Sequence, residues 1–79
     1  MDLNRAAIFV RVVEQGGFTA AARALSLPKS SVSRAVTLLE EDLGVRLLQR
    51  STRTIRLTDA GAAFYDRSSR AIAAMDEAA

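Results

Sequence analysis

For most of this chain, apolar positions recur at helical spacing. Between Leu3 and Glu14, Leu3, Ala6, Val10 and Val13 fall three or four residues apart, and Phe9 and Val12 widen the stripe, which predicts a core-facing helix. Gly16-Gly17 ends it. A shorter pattern opens at Thr19, read as its N-cap, and runs through Ala20, Ala21 and Ala22 to Leu25, strong helix formers throughout. Phe18, just ahead of it, is read as a plug in the core between the first two helices rather than as an exposed ring for stacking on bases. Ser26-Leu27-Pro28 breaks the pattern. Val32, Val36, Leu39 and Leu43 then follow at steps of four, three and four, and Gly44 suits the left-handed residue that closes such a helix. Two helices separated by so short a break predict a helix-turn-helix.

Past Gly44 the period changes. Leu48 to Arg50 and Thr54 to Leu57 read as short strands around Ser51-Thr52-Arg53, with Ile55 and Leu57 alternating with Thr54 and Arg56, so a β-hairpin is expected. Thr58 then caps a last helix, with Asp59 well placed against its N-terminal dipole, and the Ala-rich, proline-free stretch from Ala60 onward continues it. Ala60, Phe64, Ala71, Ile72, Met75 and Ala78 form one apolar face, more than so small a domain can cover. The expected use of this face is a dimer interface at Phe64, Ser68, Ala71, Ile72 and Met75; the alternative is that the first turns pack on the domain and the rest frays. Gly61 weakens the helix locally, which is tolerable where something must approach its backbone.

The polar positions carry the chemistry. Ser30, Ser33, Arg34 and Thr37 share the spacing i, i+3, i+4, i+7 opposite the apolar stripe, so hydroxyls and a guanidinium point away from the core together. Such a face can enter a major groove, because these groups donate to phosphate oxygens and base acceptors without bulk or acid in the way. The hairpin tip RSTRTIR carries Arg50, Arg53 and Arg56 among hydroxyls, suited to a phosphate backbone or a minor groove. Arginines that merely solubilise an edge hairpin are the competing explanation.

Composition narrows this further. With 79 residues, 49% apolar and 25% charged, the chain has the makings of one ordinary globular domain. No apolar run is long enough to span a membrane, and Met1 to Arg5 does not resemble a secretion signal, which makes cytoplasmic residence the default expectation. Cysteine and histidine are both absent, removing thiol nucleophiles, imidazole bases and the usual zinc ligands. Glu40-Glu41-Asp42 is the sole acidic run; consecutive helical residues cannot converge on one ion, so it is read as a solvated helix end. From Arg23 to Arg56 seven bases face three acids, a local net of +4 within an overall +2, the footprint expected of a nucleic-acid surface or of a solvated charged face. An RNA reader would want exposed aromatics for stacking, and only Phe9, Phe18, Phe64 and Tyr65 are present.

Phe9 and Val12, the segments GGFTAAARAL and SVSRAVTLLEEDLGVRLLQR, and LTDAG, in that order and spacing, resemble the N-terminal DNA-binding domain of the LysR-type transcriptional regulators over nearly the whole chain. The resemblance implies a mainly α fold with a small β-hairpin: a winged helix-turn-helix over residues 1–58, then a linker and dimerisation helix over 59–79. It implies sequence-specific binding of double-stranded DNA by a homodimer that regulates transcription. Lys29, Ser30 and Ser31 would face base edges, Ser33 and Arg34 would contact bases or phosphates, Arg53 would serve the wing, and Thr19 would meet the phosphate backbone. Thr37, Arg50 and Thr54 complete the expected DNA-binding set. One departure concerns specificity: Pro28-Lys29-Ser30-Ser31 stands where family members often have Ser-Gln-Pro-Ala, so Lys29 replaces an amide able to read adenine and points to guanine or phosphate. The family usually continues into a larger effector-binding domain, so the segment reads as a fragment. No metal or cofactor is expected in it, and any small-molecule effector would bind the missing domain. The rivals are a winged helix used only for protein association and, remote from the inventory above, an enzyme.

Overall fold

The computed structural model describes residues 1–51 and 54–78. Helix α1 spans Leu3–Gln15, α2 Phe18–Leu25, α3 Lys29–Leu43 and α4 Asp59–Ala78; strands β1, Leu48–Arg50, and β2, Ile55–Leu57, lie between α3 and α4. The Asp2 carboxylate caps α1 by accepting the Asn4 N–H at 2.8 Å, and Gly16, at φ +81°, closes it in the left-handed region that a side chain would resist. Gly44 does the same for α3 at φ +70°.

α1, α2 and α3 pack on one another around Phe9, Val12, Ala21, Val32, Val36 and Leu39, all fully buried. Leu47 and Leu48, entering the hairpin, close the same core. The strands are antiparallel, pairing Leu48 with Leu57, Gln49 with Arg56 and Arg50 with Ile55; Thr54 lies just outside β2. Thr58 joins the hairpin to α4. Its hydroxyl oxygen accepts the Gly61 N–H at 2.9 Å and its proton goes to the Arg46 carbonyl at 2.6 Å, while its own N–H donates to the Leu47 carbonyl at 3.0 Å. Here α4 crosses so close to the chain at Leu47 that a Cβ on Gly61 would collide with the Leu47 carbonyl oxygen and lie 2.9 Å from its carbonyl carbon, closer than real Cβ contacts come. Phe64 then lays its ring on Phe9, centroids 5.7 Å apart and planes at 59°.

Three expectations are corrected. Thr19 is not the cap of α2: the helix starts one residue earlier, with extended Gly17 at the N-cap position and no capping side chain. Leu3 is 71% exposed rather than core-facing: it opens the first turn of α1 and lines the open groove beside α4. Phe18 packs against the core as expected, but half-buried at its rim rather than as a plug in its interior.

Candidate nucleic-acid interface

Because Val32, Val36 and Leu39 bind α3 to the core, its opposite face is turned outward. Lys29, Ser30, Ser31 and Arg34 are exposed there, and Ser33 and Thr37 are half-buried beside them. Pro28, at φ −61° and ψ 143°, is the N-cap of α3; its carbonyl accepts the N–H groups of Ser31 and Val32, and having no N–H of its own it leaves none unpaired.

Thr19 of α2, Lys29 of α3 and Thr54, next to β2, line one open depression of about 360 Å³ together with Phe18 and Ser51. The first N–H groups of α2 have no intrahelical acceptor and no capping side chain, so this helix start is suited to a phosphate oxygen. The wing is closed locally by Ser51 and Thr54: the Ser51 N–H donates to the Thr54 carbonyl at 2.9 Å and the Thr54 N–H to Ser51 Oγ at 3.1 Å. Arg53, assigned to the wing from sequence, lies outside the described residues.

Ion pairing divides the bases of the described residues into two groups. Arg5, Arg11 and Arg70 each sit within 3.3–3.7 Å of an acid three or four residues away, Asp2, Glu14 and Asp66. Among the described residues no ion pair involves Lys29 or Arg34 on this face, nor Arg23, Arg46, Arg56 or Arg67 elsewhere. Bases already neutralised by neighbours contribute little to binding a polyanion, whereas unpaired ones release counterions when they meet phosphate.

Arg50, expected in the DNA-binding set, is engaged within the chain. Its side chain is 30% exposed and turned back onto α3, donating to Ser33 Oγ at 3.4 Å and Thr37 Oγ1 at 3.3 Å and pairing with Glu40 at 3.5 Å. Its guanidinium carbon lies 4.8 Å from the centre of the Phe18 ring. Glu40 is the residue that sequence reasoning missed. Read as part of a solvated helix end, it is instead only 11% exposed, and its Oε2 accepts the N–H groups of Leu47 at 2.8 Å and Leu48 at 3.1 Å. The available signal was its position four residues after Val36 and three before Leu43, on the edge of the buried stripe.

The residues assigned to a dimer interface fall together. Phe64, Ser68, Ala71, Ile72 and Met75 line an apolar groove of about 620 Å³ between α4 and the start of α1, shared with Met1 and Leu3. Met1, Leu3 and Met75 are 63%, 71% and 69% exposed, the three most exposed large apolar side chains of the described residues.

Three helices on one core, the second and third set as a helix-turn-helix and flanked by an antiparallel hairpin, define a winged helix-turn-helix protein. Residues 3–62 match the model of the bacterial regulatory helix-turn-helix proteins of the LysR family, and the chain belongs to that family, one of transcriptional regulators. It is 54% identical over 77 residues to an HTH-type transcriptional regulator of Xanthomonas campestris, covering 98% of this chain and 22% of that protein. It is 49% identical over 75 residues to an HTH-type transcriptional repressor of Pseudomonas aeruginosa, covering 95% and 24%, and 54% identical over 63 residues to the HTH-type transcriptional activator AaeR of Escherichia coli, covering 80% and 20%. The chain thus spans about a quarter or less of the length of these relatives. Among solved structures, the DNA-binding domain of BenM in complex with catB site 1 DNA superposes with a TM-score of 0.92 at 36% identity, over 98% of this chain and 86% of that one. The CbnR DNA-binding domain in its DNA complex gives 0.91 at 37%, over 99% and 90%. No helix among the described residues is long and apolar enough to cross a membrane.

Proposed function

We propose that this chain is the DNA-binding part of a LysR-type transcriptional regulator and that it binds double-stranded DNA as a dimer. The observation that carries this reading is the unpaired, exposed Lys29–Arg34 face of a helix whose other side is anchored in the core. In it α3 enters the major groove with Lys29, Ser30, Ser31 and Arg34 toward base edges or phosphates, and Thr19 and Thr54 flank it on the backbone. In this reading Arg53 serves the minor groove, as its place in the sequence implies. Two copies joined through the α4 groove present two such helices to successive major grooves, about 34 Å apart. In this reading the winged helix-turn-helix is residues 1–58 and the linker and dimerisation helix 59–79. The work is done in the cytoplasm and without catalysis or a cofactor in this segment; a small-molecule effector would bind a further domain of the parent. The sign of regulation is not carried here, since close relatives include both a named repressor and a named activator.

Selection of bound duplexes from a random pool at about 150 mM salt tests the reading. Enrichment of a two-fold symmetric site is the expected result. A chain that dimerises yet retains no duplex would instead be a winged helix used for protein association.

A further inference from the structure

Arg50 is held on several sides at once: by Ser33 and Thr37 through hydrogen bonds of 3.4 and 3.3 Å, by Glu40 at 3.5 Å, and by the Phe18 ring at 4.8 Å. A guanidinium has only donors, so at both hydroxyls the oxygen is the acceptor. A hydroxyl whose lone pair faces a cation turns its proton away from that cation. Ser33 and Thr37 are one turn apart on α3, so with both oxygens turned to Arg50 their protons are left available to one outside partner.

We propose that Arg50 is a positioning residue for base recognition: it commits the Ser33 and Thr37 hydroxyls to donate, so that α3 reads acceptor groups on base edges. Guanine, adenine and thymine all offer a major-groove acceptor, whereas cytosine offers only its amino donor and is the base rejected. Arg50 itself stays off the phosphates, although its charge and its place at the foot of the wing suggest the opposite. The inference rests on the DNA-binding reading above and deepens it.

The test measures equilibrium binding of the 79-residue chain to a duplex selected from a random pool, and to versions with cytosine placed in turn at each position facing α3, across about 50–200 mM salt. Wild type, Arg50→Met, the pair Ser33→Ala with Thr37→Val, and the triple variant are compared after circular dichroism has verified their folding. Arg50→Met is expected to lower discrimination against cytosine about tenfold or more and to leave the slope of log K against log salt unchanged. The hydroxyl pair should lose the same discrimination, and adding Arg50→Met to it should lose no more, which a purely structural arginine would not produce. A slope shallower by about 0.9 with uniform loss on all duplexes makes Arg50 a phosphate contact and overturns the proposal. Further loss of discrimination in the triple variant overturns it as well. If Arg50→Met does not fold, the hydroxyl pair decides: unchanged rejection of cytosine refutes the role. Failure of the wild type to select any duplex is the separate outcome that defeats the DNA-binding reading itself, and the inference with it.

Discussion

Gly61→Ala sets two effects against each other on an element the fold depends on. In an isolated helix the change would stabilise α4, because alanine is better than glycine in a helix interior by about 1 kcal/mol. In the folded chain the new methyl meets the Leu47 backbone, 2.9 Å from its carbonyl carbon, and the question is which side can give way. Leu47 is fixed in three directions. Its N–H donates to Glu40 at 2.8 Å, its carbonyl accepts the Thr58 N–H at 3.0 Å, and its side chain is fully buried. The helix must therefore lift, loosening the Thr58 cap and the Phe64–Phe9 contact next to it. Overpacking of a well-packed site costs roughly 1–3 kcal/mol, and a backbone obstacle places this case near the top of that range. After the propensity gain, a net loss of about 2 kcal/mol remains, which for a domain of this size lowers Tm by roughly 8–16 °C. Thermal melting followed by circular dichroism at 222 nm reads it directly. A variant melting at or above the wild-type temperature would mean that α4 does not press on Leu47 and would refute the reasoning.

Arg34→Ala should leave stability within about 0.5 kcal/mol, since the side chain is exposed and unpaired, but cost about 1–3 kcal/mol on a selected duplex; equal loss on every sequence would demote it from base reading to phosphate binding. Glu40→Gln removes the charge that serves two backbone N–H groups and Arg50, and is expected to destabilise by about 1–2 kcal/mol in urea titration; a change below about 0.5 kcal/mol would return Glu40 to the solvated surface. Met75→Asp places a carboxylate in the α4 groove at a site 69% exposed in the single chain, so sedimentation should report loss of the dimer without loss of fold. Persistence of the dimer would locate the interface elsewhere.

The helices were legible because each rests on a local signal. Val32, Val36 and Leu39 are buried where their spacing predicted, and Gly16 and Gly44 stop α1 and α3 in the left-handed conformation their type favours. Thr58 was legible as a cap for the same reason, its acceptor serving the Gly61 N–H three residues on. Thr19 misled because a good capping residue inside the first turn looks like one at its start, and the choice falls to whichever backbone leaves the helix there, here Gly17. Of the candidate interface, the α3 residues could be read from the outward side of a helix, and the gathering of Thr19, Lys29 and Thr54 could not, since they come from separate parts of the chain.

Sequence alone therefore determined the run of helices, the ends marked by Gly16, Gly44 and Thr58, and the face of α3 free for a partner, all properties of residues within a few positions of one another. Tertiary structure decided which polar groups are spent internally. Arg50 meets Ser33 and Thr37 across 17 and 13 residues, and Glu40 reaches Leu47 and Leu48 only because the chain reverses at Gly44. An arginine in a basic hairpin and a glutamate in an acidic run look solvated by composition; only the closing of the hairpin onto α3 buries most of the Glu40 side chain and gives each the other's charge.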